Sequence, residues 1–189
     1  CAPITISGLG LTLISAIKLM ADINTNGVVR YQLGGWKAPI GIAYTVDHLN
    51  ILVIVLIAIV SFLTAIYSQV TVKVELGEKL GHYYTLFLLL ITGLLGITIT
   101  GDVFNLYVLL EIAALTSYGL IALGKKRAYL ATFNYIIVGS IGACFYLLGV
   151  GYLLLKTGTL NMAHLATIIP TMSYSQALLV GFILINVGM

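Results

Sequence analysis

The residue most able to do chemistry is Glu111, a carboxylate inside the apolar stretch TGDVFNLYVLLEIAALTSYGLIALG, Thr100 to Gly124. Asp102 marks the polar end of that stretch. At about 1.5 Å of rise per helical residue, Glu111 lies roughly 13 Å further in, near the middle of a hydrocarbon core about 30 Å thick. An ionised acid at the centre of a spanning helix costs about 2.5 to 3.5 kcal/mol, so an intramembrane acid is a candidate functional residue by default. A buried glutamate is tolerated if it takes up a proton, or if a nearby cation stabilises its charge. Glu111 is therefore expected either to be held protonated or to face a cation, and the residues that matter next are those that share its helix face.

Positions three and four apart share that face. They are Phe104, Tyr107, Val108, Ala114, Leu115, Tyr118 and Ala122. The hydroxyls of Tyr107 and Tyr118 and the small Ala114 suggest a polar cavity against another helix, although each tyrosine alone also reads as a packing aromatic. No lysine or arginine lies at the depth of Glu111 in any apolar segment: Lys18, Lys125 and Lys156 stand near segment ends, and His48 and His164 lie at or outside the interface. Asn134, Thr92 and Asn186 offer polar contacts or a place for water, and equally read as helix-to-helix hydrogen bonds. A histidine titrates near physiological pH when unperturbed, which makes His164 a candidate proton carrier at the surface; the alternative is a solvated interfacial side chain. Asp47 and Asp102 are read as helix N-terminal acids favoured by the dipole.

The elements that must position these residues follow from composition. Hydrophobic residues make up 60% of the 189 residues and charged ones only 8%, against about 25% charged in soluble domains. The class is an all-α integral membrane protein. Barrel strands would alternate apolar and polar residues, whereas Leu49 to Ser68 and Ala128 to Leu155 carry no charge. The spacing predicts six spans in a polytopic helix bundle that forms a single membrane domain over residues 1–189. The spans are Ala2 to Ala21, Val46 to Val70, Tyr83 to Thr100, Val103 to Leu123, Ala128 to Leu155, and a segment from Ser173 onward.

Between the first two spans, residues 24–46 read as an extramembrane β-hairpin. Asn26-Gly27 is a turn signal, Val29, Tyr31 and Leu33 alternate with Arg30 and Gln32, and Gly34-Gly35-Trp36-Lys37-Ala38-Pro39 separates them from Ile40 to Val46. Lys73, Glu75, Glu78 and Lys79 read as a solvated loop. Asn161 is expected to cap a short interfacial helix that Pro170 ends. Gly139, Gly142, Ala143, Gly149 and Gly151 are expected to let the fifth span pack closely.

Six spans place Lys73, Lys79, Lys125, Lys126 and Arg127 on one side and Arg30, Lys37 and Lys156 on the other. The positive-inside rule then makes the Lys125–Arg127 loop cytoplasmic and the Trp36 hairpin external. The net charge of +3 sits in loops and points to no nucleic acid. Cys1 and Cys144 suggest neither a disulfide nor a metal site. No Gly-rich phosphate loop, CxxC pair, His-rich constellation or nucleophile triad appears. No catalytic centre, metal or cofactor is expected in this chain. Cys1 without a preceding Met or leader, and FILINVGM still apolar at Met189, suggest a window on a longer protein.

The stretch Thr100 to Gly124 resembles the signature GD-FNLYV--E of antiporter-like membrane subunits. These are the Mrp cation/proton antiporter protein of the D type, its counterparts in archaeal membrane-bound hydrogenases and sulfur reductases, and the proton-pumping subunits of complex I. QLGGWKAPIGIAYTVDHLN, Gln32 to Asn50, and TGTLNMAHLA, Thr157 to Ala166, are similar to the same family. The resemblance implies a longer subunit with two inverted repeats, each holding a half-channel and a broken helix, with Glu111 as the family's intramembrane acid. It also implies a partner lysine within a few positions after Met189, and work alongside other membrane subunits in the lipid bilayer. The expected function is translocation of H⁺, or of Na⁺ with H⁺, in a respiratory or hydrogenase-type complex. A gradient-driven Mrp antiporter without a redox partner and a scaffold subunit with a permanently protonated Glu111 remain as alternatives.

Overall fold

The computed structural model describes residues 2–37, 41–124, 127–173 and 175–189. Cys1, the Ala38 to Ile40 part of the expected hairpin, and Lys125 and Lys126 lie outside the described residues. The chain runs α1 (Ala2–Asn26), β1 (Val29–Gln32), β2 (Ala43–Val46), α2 (His48–Leu76), α3 (Leu80–Ile99), α4 (Val103–Ala122), α5 (Arg127–Thr157), α6 (Met162–Ile168) and α7 (Gln176–Gly188). Among the described residues, five helices, α1 to α5, are long and apolar enough to cross a membrane. The sixth apolar segment is helical over 13 residues, shorter than a span.

Local chemistry accounts for where the helices begin. The Asp47 carboxylate accepts from the backbone N–H of Leu49 at 2.9 Å and of Asn50 at 2.8 Å. Asp102 accepts from the N–H of Asn105 at 2.8 Å, and Asn161 from that of His164 at 3.1 Å. All three satisfy donors that a helix start leaves unpaired. One boundary departs from the sequence reading: Lys73 and Glu75 belong to the last turns of α2, not to a loop. Nothing before Gly77 interrupts the helix, and Gly77, at φ 50°, is the first residue to leave it.

The long helices α1 to α5 each pack on their neighbours in the chain, and α7 returns onto α5. The inner stripe of α2 is Ile51, Ile54, Ala58, Ser61, Ala65 and Ser68, mostly small residues at three- and four-residue spacing. It meets Ala16 and Ile23 of α1 on one side and Phe87 and Ile91 of α3 on the other. The Ser68 hydroxyl lies 3.3 Å from that of buried Tyr84, linking α2 to α3. The outer face of α2 exposes Leu49, Leu52, Leu56, Leu63 and Val70, a surface suited to lipid.

The glycines of α5 meet glycines of α7. A Cβ at Gly142 would lie 2.9 Å from the Gly188 carbonyl oxygen, and one at Gly149 2.7 Å from that of Gly181. Both pairs are spaced seven residues apart on antiparallel helices, so the two backbones approach along two turns. Gly151 has open space around its Cβ position and takes no part.

At one end of the bundle three connections are tied together. β1 and β2 pair antiparallel with Val29 opposite Val46 and Gln32 opposite Ala43. The Gly101 N–H then donates to the Ala43 carbonyl at 2.8 Å, the Met162 N–H to the Gly101 carbonyl at 2.8 Å, and the Val103 N–H to the Leu160 carbonyl at 2.9 Å. Thr100, Asp102, Thr159 and Asn161 are buried in this tie. Replacing Asp102 by Ala removes the cap of α4 and is expected to cost about 0.5–2 kcal/mol, whereas Asn retains it. Thermal unfolding of the two purified variants, followed by circular dichroism, measures the difference.

Candidate functional site

Glu111 stands on α4 at the wall of a cleft of about 680 Å³ between α3, α4, α5 and α7. Its position is set by the Asp102 cap at the start of α4 and by two tyrosine contacts with α5. Near the tied end, Tyr107 stacks on Tyr146 with ring centres 5.9 Å apart, and the Tyr146 hydroxyl donates to the Val103 carbonyl at 3.2 Å. Near the far end, Tyr118 meets Tyr135 edge-on at 4.6 Å. The Tyr118 hydroxyl fits the space beside Gly139 that a Cβ would fill. Glu111 lies between these two contacts and faces the cleft.

The expected residues Glu111, Tyr107 and Tyr118 all line this cleft, with Ala114 beside them. Among the described lining residues Glu111 is the only acid, and none is a lysine, arginine or histidine. Phe104, Val108 and Leu115 are exposed instead, because a three-or-four spacing spans a wide arc of helix and the cleft uses only part of it.

Asn134 is exposed and does not line the cleft. His164 is exposed on α6, where its backbone N–H completes the Asn161 cap. Thr92 and Asn186 turn their side chains onto the Leu88 and Phe182 carbonyls of their own helices, both at 2.8 Å. Sequence reasoning missed Ser117, Tyr135 and Tyr146, which also line the cleft. The signal available for the two tyrosines was their spacing around Gly139 and Gly142 on one face of α5.

Gly139→Ala is expected to push the Tyr118 ring out of its seat and separate α4 from α5 beside Glu111. A change in Tyr118 fluorescence anisotropy, or in cysteine cross-linking between α4 and α5, measures it; an unmoved ring would show that the seat accepts a methyl group.

A bundle of apolar helices holds an acid, Glu111, inside a candidate span and at the wall of a cleft, and its class is that of a multi-pass membrane chain. Residues 100–189 match the family described as "NADH:quinone oxidoreductase/Mrp antiporter, TM", and the chain resembles the antiporter-like membrane subunits in sequence and fold. It is 43% identical over 160 residues to NADH-quinone oxidoreductase subunit N of Desulforudis audaxviator, covering 85% of this chain and 32% of the relative. It is 38% identical over 151 residues to the D-type protein of the Na(+)/H(+) antiporter of Bacillus subtilis, covering 78% of this chain and 30% of the relative. A chain of the membrane-bound sulfane sulfur reductase, an archaeal respiratory membrane complex, superposes with a TM-score of 0.92 at 39% identity, over 99% of this chain and 38% of that one. The chain therefore spans about a third of the length of the relatives it matches.

Proposed function

We propose that this chain carries the proton-binding half of an antiporter-like subunit that moves H⁺, or Na⁺ with H⁺, in a membrane-bound respiratory or hydrogenase-type complex. The observation that carries the proposal is Glu111: a half-buried acid inside a candidate span, facing a cleft whose described lining holds no cation. Such an acid has two states. With a cation close by, the carboxylate is stabilised in its ionised form. With the cation withdrawn, desolvation disfavours the charge and the acid takes up a proton. Cycling the cation between near and far positions loads and unloads Glu111.

The packing supports a place for that cation. Tyr118 against Gly139 and Tyr107 against Tyr146 set Glu111 at the level of Gly142, and Gly142 abuts Gly188. The last turn of α7 is therefore at the depth of Glu111, and Val187 to Met189 line the same cleft. A lysine within the few positions that follow Met189, as the family resemblance implies, would reach the cleft. In this reading the Lys125–Arg127 loop faces the cytoplasm and the hairpin faces outward.

The relation to a protein of an Na(+)/H(+) antiporter supports a second reading, a gradient-driven antiporter with no redox partner. Isolating the complex and assaying it for iron-sulfur or nickel-bearing subunits separates the two. For either, proton and sodium fluxes in vesicles bearing Glu111→Gln are the direct test, and normal coupled transport would sink the role given to Glu111.

A further inference from the structure

Tyr146, on α5, is held from three directions. Its side chain is 3% exposed, and its hydroxyl donates to the Val103 carbonyl, in the first turn of α4, at 3.2 Å. Its ring stacks on Tyr107 of the same helix, with centres 5.9 Å apart and planes within 20° of parallel. Its backbone carries the last turn of α7: a Cβ on Gly188 would lie 2.9 Å from the Tyr146 Cα. Stacking and packing need only the ring, whereas a buried phenol must also find a hydrogen-bond partner. That partner is a part of α4 already fixed by the Asp102 cap and by the bond from Val103 to Leu160. The Tyr146 ring is therefore set in angle as well as in place.

What it positions is Tyr107, one turn before Glu111 on the same helix. Helical side chains lean towards the N-terminus, so Glu111 leans over the turn that carries Tyr107. The two line one cleft, and the Glu111 charge reaches the Tyr107 hydroxyl. The other phenols around the cleft are occupied: Tyr118 seats its hydroxyl beside Gly139, Tyr135 meets Tyr118 edge-on, and Tyr146 uses its own hydroxyl on Val103. Cys144 lies near Tyr107 and Asp102 near Tyr146, while α3 and α7 bring only apolar residues to the described lining. Tyr107 is thus the phenol placed to donate to the carboxylate.

We propose that Tyr146 is a positioning residue for Glu111: with its hydroxyl fixed on the Val103 carbonyl, its ring holds Tyr107 by stacking, and Tyr107 donates a hydrogen bond to the ionised carboxylate. The inference rests on Glu111 being the acid that carries the transported proton. A hydrogen bond donated to the charged form favours that form, so Glu111 keeps its proton only to a lower pH than it would without Tyr107. The tyrosine pair in this way sets the proton affinity of the acid.

The test is the pH profile of proton uptake by the intact complex in sealed vesicles. Tyr107→Phe is expected to move the midpoint up by about one unit, a tenfold change in proton affinity for one lost hydrogen bond to a charge. Tyr146→Phe keeps the stacking ring and loses only the hydroxyl, so the midpoint is expected to rise by about half a unit. The double variant is expected to rise no further than Tyr107→Phe alone, because Tyr146 acts only through Tyr107. A slower rate at an unmoved midpoint in Tyr146→Phe marks a merely structural tyrosine and overturns the assignment, as does a double variant in which the two shifts add. With Glu111→Gln inactive, those results overturn the positioning role alone; normal coupled transport in Glu111→Gln overturns it together with the function. If Tyr146→Phe fails to assemble, Tyr107→Phe decides: an unmoved midpoint overturns the assignment, and a raised one supports it.

Discussion

Glu111→Gln abolishes proton translocation while leaving the protein folded: that is the expected result, with a loss of about 100-fold or more, the scale on which a lost acid–base group is felt. The carboxamide has the shape of the acid, so the contacts of Tyr107 and Tyr118 around it are retained and only the exchangeable proton is lost. Stability moves the other way. An ionised acid at mid-bilayer depth costs about 2.5 to 3.5 kcal/mol, so the neutral amide is expected to assemble as well as the parent and to melt at the same temperature or higher. Loss of transport with unchanged or improved stability separates an acid kept for its proton from one kept for packing. Fluorescence quenching of a pH-sensitive dye in inverted vesicles, with the melting temperature of the purified protein, gives both quantities. Glu111→Asp keeps the charge about 1.5 Å further back and is expected to transport at an intermediate rate.

Gly149→Ala carries the largest expected effect on stability. The added Cβ would lie 2.7 Å from the Gly181 carbonyl oxygen, 2.7 Å from Ile185 Cγ1 and 2.9 Å from the Ile185 nitrogen. Two of these three atoms are backbone, so no rotamer change relieves the contact and α7 must move away from α5. Overpacking of this kind costs about 1–3 kcal/mol. Because the last turn of α7 lines the Glu111 cleft, transport is expected to fall with it. Gly151→Ala provides the control: its Cβ position is open, and alanine is favoured over glycine in a helix by about 0.5–1 kcal/mol. Thermal unfolding of the two variants should therefore shift in opposite directions, and equal shifts would show that α5 and α7 can separate freely.

What could be read from the sequence was local. Asp47 and Asp102 were legible as helix N-terminal acids and Asn161 as a cap, because a helix start is marked by its first few residues; that both aspartates also cap their helices came from the structure. Glu111 was legible because the span around it is long and apolar. The end of α2 was misplaced because Lys73 and Glu75 are charged, yet charge does not stop a helix; the backbone conformation at Gly77 does. Gly142 and Gly149 were legible as close-packing positions, but their partners Gly181 and Gly188 follow only once α7 is known to run back along α5. Tyr135 is half exposed and reads alone as a membrane aromatic. Only its contact with Tyr118 brings it to the site, and that contact depends on how α4 and α5 cross.

The tie between β2, Gly101 and Leu160–Met162 makes the bundle a set of rods clamped at one end. Among the described residues, the backbone hydrogen bonds of the opposite connection are local, Leu123 to Leu120 and Gly124 to Ile121. A rod held this way amplifies rotation with distance from its pivot. A tilt of α4 by about 5° about Asp102 carries Glu111 through about 1 Å and Ala122 through about 2.5 Å, from the rise of the helix. A tilt of that size would move the acid by about the change in distance that makes or breaks one hydrogen bond, with the tied end as its pivot.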